Sequence, residues 1–130
     1  MTFKNAINWF EIPASDLDRA TKFYESIFDC ELIPMDLGNG LRMRMFPTEE
    51  GTTGGAICHH PDFYKPSADG VVVYLNGNPN LQTVLDRIES AGGKVTLPKT
   101  EISPEYGFMA LFTDSEGNRV GLHSSPVPQH

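Results

Sequence analysis

The stretch EIPASDLDRATKFYESIF, residues 11–28, has the pattern of a strand that leads directly into an amphipathic helix. Its apolar residues fall at the three- and four-residue spacing of one helix face: Leu17, Ala20, Phe23, Tyr24, Ile27 and Phe28. Ser15 stands just before this pattern, where its hydroxyl could accept a hydrogen bond from the first helical turn. The stretch therefore predicts a strand, an N-cap at Ser15 and a helix, in that order.

A second copy of this strand and helix lies further along the chain. The second helix is predicted from a similar apolar stripe: Leu81, Val84, Leu85, Ile88 and Ala91. Asn78-Pro79 is its predicted cap and first-turn proline, and Gly92-Gly93 its predicted end. Asp16-Leu17 and Asn80-Leu81 open the two helices 64 positions apart. Self-similarity at such an offset indicates two copies of one supersecondary unit.

The remaining segments predict short strands. In the first half they are residues 6–12, 31–37, 41–46 and 54–59, and in the second half 71–75, 94–97, 108–113 and 119–123. Gly38-Asn39-Gly40 is a strong hairpin signal. The predicted fold class is α+β, with two βαβββ modules. We expect one domain over residues 1–124, with modules at about 1–60 and 70–124, a linker at about 61–69 and a flexible tail at 125–130.

Composition excludes several classes of partner. The formal net charge of −7 argues against binding to nucleic acids or to anionic membrane surfaces. Proteins that bind these anionic partners usually carry a surplus of Lys and Arg. No apolar run approaches the length of a membrane span or of a signal peptide. Two cysteines in a chain of 130 residues do not form a disulfide framework, so the sequence predicts free thiols and a cytoplasmic location.

Three sequence fragments carry a family resemblance. They are residues 11–28, the AGGKV of residues 91–95, and the FTDSEGNRVGL of residues 112–122. In this order and within a duplicated unit, they resemble the vicinal-oxygen-chelate superfamily, which includes glyoxalases, bleomycin-resistance proteins and extradiol dioxygenases. The resemblance implies a U-shaped cleft between the modules. It also implies a divalent metal there in the metalloenzyme members, whereas other members bind an antibiotic without metal or chemistry.

The metal positions implied by the resemblance do not carry metal ligands in this chain. The first falls on Trp9, whose indole offers no lone pair, and the last on Gly121, which has no side chain. The other two fall between Ala56 and Cys58 and near Val71, with uncertain register. A Cys and a His adjacent on a strand, as in Cys58-His59-His60, point to opposite faces. We therefore expect no metal and no cofactor.

The predicted cleft is instead lined by apolar and aromatic side chains. The expected ligand-binding set is Trp9, Glu11, Met43, Met45, Cys58, Met109, Leu111, Gly121 and His123. Trp9 offers a flat stacking surface, and methionines adapt to irregular ligands. Glu11 would give the cleft a polar rim that favours donors or cations, and Gly121 would leave room opposite Trp9. The predicted partner is a small, mostly apolar or aromatic molecule.

Three functional hypotheses remain open at this point. The first is a metal-free small-molecule binding protein. The second is an enzyme of the same fold, lyase, isomerase or dioxygenase-like, in which Glu11 and His123 act as acid and base. The third is an interaction module with a filled cleft. The sequence also leaves open whether the modules pair within one chain or across a homodimer.

Overall fold

Each half of the chain forms a four-stranded sheet with one helix packed on it. The computed structural model describes residues 1–126, so the last four residues of the predicted tail lie outside the described part. The first half contains β1 (Trp9–Pro13), α1 (Leu17–Phe28), β2 (Ile33–Gly38), β3 (Leu41–Met45) and β4 (Gly54–His59). The second contains β5 (Tyr74–Asn76), α2 (Gln82–Ala91), β6 (Lys94–Ser103), β7 (Gly107–Thr113) and β8 (Arg119–Ser124).

The two sheets have the same topology. Their strand orders are β1-β4-β3-β2 and β5-β8-β7-β6. In each sheet the first strand pairs in parallel with the last, as Trp9 with Gly54 and Tyr74 with Gly121, and the other pairs are antiparallel. The predicted α+β class with two βαβββ modules is confirmed. Within residues 1–126, no helix is both long and apolar enough to cross a membrane.

Several predicted element boundaries were wrong. The N-cap of α1 is Asp16, whose side chain accepts the Arg19 N–H at 3.0 Å, and not Ser15. The helix α2 begins after Leu81, without a side-chain cap, so Asn78-Pro79 lies outside it. The strand β6 runs to Ser103, beyond Pro98. An edge strand tolerates a proline because its outer side pairs with nothing, and β6 is at the edge of its sheet.

The two modules share one hydrophobic core. Both helices pack on the same side of the molecule and contact each other. Phe23 of α1 and Phe112 of β7 are fully buried, with ring centroids 6.0 Å apart, and so join the modules directly. The core continues through other buried residues of both halves, among them Ile12, Tyr24, Ile27, Ile57, Leu81, Ile88, Ala110 and Leu122. Burial of this apolar surface provides the main driving force for folding.

The turn between β7 and β8, residues 114–118, ties the second module to the first. The buried Asp114 accepts the backbone N–H groups of Glu116 and Asn118 through Oδ1, both at 2.9 Å. Its Oδ2 accepts the hydroxyl of Tyr24 on α1 at 2.7 Å. The amide of Asn118 donates to the Pro13 carbonyl at the end of β1, at 2.8 Å. This turn therefore anchors both α1 and β1.

Glu116 adds a charged contact to the same junction. Its carboxylate accepts Arg19 Nε at 2.6 Å and the Asp16 N–H at 2.7 Å, at the start of α1. Burial acts to raise the pKa of Glu116, but hydrogen bonds from Arg19, Asp16 and Ser115 outweigh it and hold the pKa below its ordinary value. The charged form is therefore the one that this junction stabilises.

Candidate functional site

Side chains of the first sheet that point away from the helices form one continuous face. Ile12 and Ile57 point into the core, so their alternate neighbours project from the other side. Cross-strand pairs place Glu11 beside Ala56, Ala56 beside Met45, and Cys58 beside Met43. Five predicted site residues therefore lie on this face: Trp9, Glu11, Met43, Met45 and Cys58. Met43, Ala56 and Cys58 form a small buried cluster on it.

Tyr64 completes this face, and the sequence analysis missed it. The ring of Tyr64 packs against the Met43, Ala56 and Cys58 cluster, and its hydroxyl donates to Glu11 Oε1 at 2.6 Å. This hydrogen bond, together with burial, raises the pKa of Tyr64 above its ordinary value. The linker has no periodic pattern, so the only sign of a role for Tyr64 in the sequence was an aromatic residue within a polar segment.

Glu11 also holds the indole of Trp9. Trp9 Nε1 donates to Glu11 Oε2 at 3.3 Å, so each carboxylate oxygen of Glu11 accepts a hydrogen bond from a neighbouring side chain. The indole is oriented by this contact, while 43% of the residue's surface stays exposed. The indole of Trp9 is therefore fixed in orientation and partly exposed to solvent.

Cys58 is a protonated thiol in this environment. It is fully buried, and burial, followed by the nearby Glu11 carboxylate, raises its pKa to about 12. Because the thiolate is the reactive form of cysteine, this environment suppresses nucleophilic chemistry at Cys58. Cys30, at the end of α1, is only half-buried, although burial and Glu25 also raise its pKa.

Alkylation should distinguish the two thiols. In the folded protein at pH 8, iodoacetamide should modify Cys30 slowly and leave Cys58 intact, because Cys58 is inaccessible and its pKa is about 12. Mass spectrometry after proteolysis measures both sites, and both should react in denaturant. The Cys30→Ser variant should take up no label while folded, and rapid labelling of Cys58 would contradict this account of the site.

The second sheet repeats the arrangement of an aromatic residue over a glycine. Tyr74 of β5 pairs with Gly121, as Trp9 pairs with Gly54 in the first sheet. A side-chain carbon built on Gly121 would collide with the Tyr74 ring. Sequence analysis expected open space beside Gly121, but the structure shows that Tyr74 fills it. The counterpart of Trp9 in the second module is therefore Tyr74, not a residue near Val71.

The other predicted residues of the second module also lie on its open face. Leu111 pairs with Gly121, and Met109 pairs with His123. The Nε2 of His123 lies 2.7 Å from the Tyr106 carbonyl oxygen, which can only accept, so this nitrogen carries the proton.

A cavity of about 390 Å³ runs along the outer edge of β1. We call it the Trp9 cavity. All five residues of β1 border it, as expected for a space beside a strand rather than under one face. The other residues that line it are Ile7, Lys65, Ser67, Gly70, Val71, Val73, Asn118, Arg119 and Val120. Of the predicted ligand-binding set, Trp9 and Glu11 line this cavity.

A larger cavity of about 840 Å³ adjoins the first and shares Ile7, Phe10, Val71 and Val73 with it. It reaches towards Phe28, Cys30 and Phe46 on the helix side of the first sheet. Neither cavity is lined by the other predicted residues, which are Met43, Met45, Cys58, Met109, Leu111, Gly121 and His123. Glu11 and His123 therefore do not face one another across either cavity.

The residues at the implied metal positions do not fit a metal. The only heteroatom in the Trp9 side chain is an N–H that already donates to Glu11, and Tyr74 occupies the space beside Gly121. In Cys58-His59-His60, the two imidazoles bond to separate carbonyls, those of Ala14 and Asn39. Over the described 126 residues, no three His, Cys, Asp or Glu side chains are grouped to hold an ion.

Comparison with known proteins agrees with the observed fold. Residues 6–122 match the family model of the Glyoxalase/Bleomycin resistance protein/Dioxygenase superfamily. A curated relative, "Putative glyoxylase CFP32" of Mycobacterium bovis, is 26% identical over 115 residues, or 88% of this chain. The chain spans only 44% of that relative's length.

Two solved structures show the same fold. TnmS3, an antibiotic binding protein from Streptomyces sp. CB03234, superposes with a TM-score of 0.65 at 20% identity, covering 96% of this chain and 99% of that one. Glyoxalase I from Zea mays gives a TM-score of 0.66 at 20% identity, covering 92% of this chain and 44% of that one. From the family match over residues 6–122, together with the duplicated βαβββ architecture, we conclude that the chain belongs to the Glyoxalase/Bleomycin resistance protein/Dioxygenase superfamily.

Proposed function

We propose that this protein binds a small, mostly apolar or aromatic molecule in the Trp9 cavity, without a metal or another cofactor. The proposal rests on the position, exposure and orientation of Trp9. Trp9 borders a cavity large enough for a small ligand and is 43% exposed, and its ring is oriented through Nε1 by Glu11. A flat aromatic surface fixed in advance costs little further ordering when a planar ligand stacks on it.

The likeness to an antibiotic binding protein is consistent with a binding role. At 20% identity it supports the fold and leaves the ligand open, because one fold hosts many functions. The acid-base hypothesis has less support. Glu11 already accepts hydrogen bonds from Trp9 and Tyr64, and His123 borders neither of the two cavities around β1.

Three further points extend this proposal. We propose that residues 1–124 act as one domain, since the hydrophobic core continues through both modules. Free thiols at Cys30 and Cys58 support a cytoplasmic location. Formation of a homodimer stays a prediction from the sequence, to be measured by sedimentation.

Binding can be read from Trp9 directly, because it is the only tryptophan of the chain. In an NMR titration with 2-naphthol, a neutral planar probe, we expect the single indole N–H signal to shift in a saturable manner. Trp9→Ala should weaken binding by about 1–3 kcal/mol, the loss expected for one stacked aromatic partner. Because this variant lacks the indole signal, its affinity for 2-naphthol is measured by calorimetry.

Tyr106→Ala is the matched control. Tyr106 is an exposed aromatic residue whose side chain borders neither cavity, so its removal should leave the affinity for 2-naphthol unchanged. Both variants should remain folded by circular dichroism, because neither side chain is buried. Equal affinity of Trp9→Ala and the wild-type protein would refute the assignment of the site.

A further inference from the structure

We propose that the ligand of the Trp9 cavity is an aromatic acid, whose carboxylate is received by Lys65 and Arg119. This inference rests on the proposed function and adds the charge of the ligand to it. It also reverses the preference expected from Glu11 in the sequence, which was for donors or cations.

The carboxylate of Glu11 already accepts a hydrogen bond on each of its two oxygens. Oε1 accepts the hydroxyl of Tyr64 at 2.6 Å, and Oε2 accepts the indole N–H of Trp9 at 3.3 Å. A carboxylate whose two oxygens accept hydrogen bonds from fixed neighbours has less to gain from a ligand cation. Glu11 thus acts in this site as the residue that positions Trp9.

Lys65 and Arg119 are cations at the same cavity, and neither forms an ion pair with a carboxylate of residues 1–126. Among the described residues, the ion pairs are Arg19 with Glu116 and both Arg42 and Arg44 with Asp36. The Arg119 guanidinium makes one contact, from Nη2 to the Gly70 carbonyl at 3.4 Å. Its remaining N–H groups form the planar fork that binds a carboxylate through two parallel hydrogen bonds.

The charge balance of the whole chain makes this placement informative. Asp and Glu number 17 against 10 Lys and Arg, so acidic residues outnumber basic ones over the chain as a whole. At the Trp9 cavity, two cations from distant parts of the sequence border one space, and the only acidic residue lining it is Glu11. The charge that the cavity lacks is therefore negative.

The backbone near both cations is held by the turn at residues 114–118. Arg119 directly follows the turn. The linker that carries Lys65 is attached to it through the Ser67 N–H, which donates to Asn118 Oδ1 at 3.1 Å. Asn118 in turn donates to the Pro13 carbonyl of β1, the strand that carries Trp9. The backbone segments that carry Trp9 and the two cations are therefore all connected to this one turn. The turn sets the distance between these segments, which a ligand in the cavity has to span.

A ligand pair that differs only in charge tests this inference. We would titrate 2-naphthoate and its neutral analogue 2-naphthamide, following the Trp9 indole N–H signal. At low salt, naphthoate should bind roughly 3- to 10-fold more tightly, as for one or two partly exposed ion pairs. The advantage should shrink as salt is raised, because such contacts are screened.

Variants of the two cations assign the effect to residues. The double variant Lys65→Gln/Arg119→Gln should bind the two ligands equally, because the preference for naphthoate is lost with the two cations. Lys22→Gln is the control: Lys22 is an exposed cation on α1 that does not line the cavity, so the preference for naphthoate should persist.

Each result decides a different point. Equal binding of both ligands by the wild-type protein, or tighter binding of 2-naphthamide, would overturn the anionic ligand while leaving the proposed function intact. A preference for naphthoate that survives in the double variant would overturn the roles of Lys65 and Arg119. Failure of every probe to move the Trp9 signal would overturn the proposed function itself.

Discussion

Asp114→Ala should lower the free energy of unfolding by about 3–5 kcal/mol, because it removes the shared acceptor of a buried hydrogen-bond network. Asp114 is almost fully buried and accepts two backbone N–H groups, the Tyr24 hydroxyl and the Asn118 amide. After the substitution, these donors remain buried in the protein with no carboxylate to accept them. Urea denaturation followed by circular dichroism measures the loss.

Two companion variants define the origin of this effect. Tyr24→Phe removes only the hydroxyl, leaves the other donors to Asp114 in place, and should cost about 1–3 kcal/mol. Asp18→Ala removes an exposed acid from the first turn of α1 and should change stability by less than about 1 kcal/mol. A loss at Asp114 no larger than at Asp18 would show that the turn does not hold the modules together.

Phe112→Ala should cost a similar amount, about 3–5 kcal/mol, and should destabilise both modules together. Phe112 belongs to the second module, is fully buried, and packs against Phe23 of the first. Because one core runs through both modules, the cavity left by the ring should lower the stability of the whole chain. Trp9 fluorescence reports on the first module, and far-ultraviolet circular dichroism on both, so their urea midpoints should fall together.

Phe63→Ala is the control for this experiment. The Phe63 ring is exposed and packs on the imidazole of His60, away from the core, so its loss should shift the midpoint little. Separate midpoints for fluorescence and circular dichroism in Phe112→Ala would mean that the modules unfold independently. The proposal of one domain over residues 1–124 would then fail as well.

The order of helices and strands along the chain could be predicted because the chain repeats itself. Two helices with clear apolar stripes fixed the positions of the modules, and the hairpin signal at Gly38-Asn39-Gly40 is realised with positive φ at all three residues. The sequence also predicted which side chains of β1 share a face, because the apolar Ile12 alternates with Glu11 and Pro13 along the strand. Local periodicity is strong wherever one side of an element is buried.

The composition of the proposed site was harder to predict, because its parts are distant in sequence. Tyr64, Lys65 and Arg119 come from a linker and a strand start, where no repeating pattern distinguishes one residue from the next. The run from Val71 to Val73 is apolar without alternation, so its register against β8 could not be counted, and Tyr74 was missed. The shape of a cavity depends on how closely the edges of the two sheets approach one another. The periodicity of the sequence carries no information on that distance.

The position of β1 at the edge of its sheet has a consequence for how recognition can be studied. At the end of this edge, the Pro13 carbonyl accepts the Asn118 amide. Along the rest of it, β1 borders the Trp9 cavity and pairs with no second strand of the described residues. A ligand bound there as we propose could exchange hydrogen bonds with main-chain atoms, which substitutions to alanine retain. Alanine scanning would understate this contribution, whereas slower amide hydrogen exchange along β1 on ligand addition would reveal it.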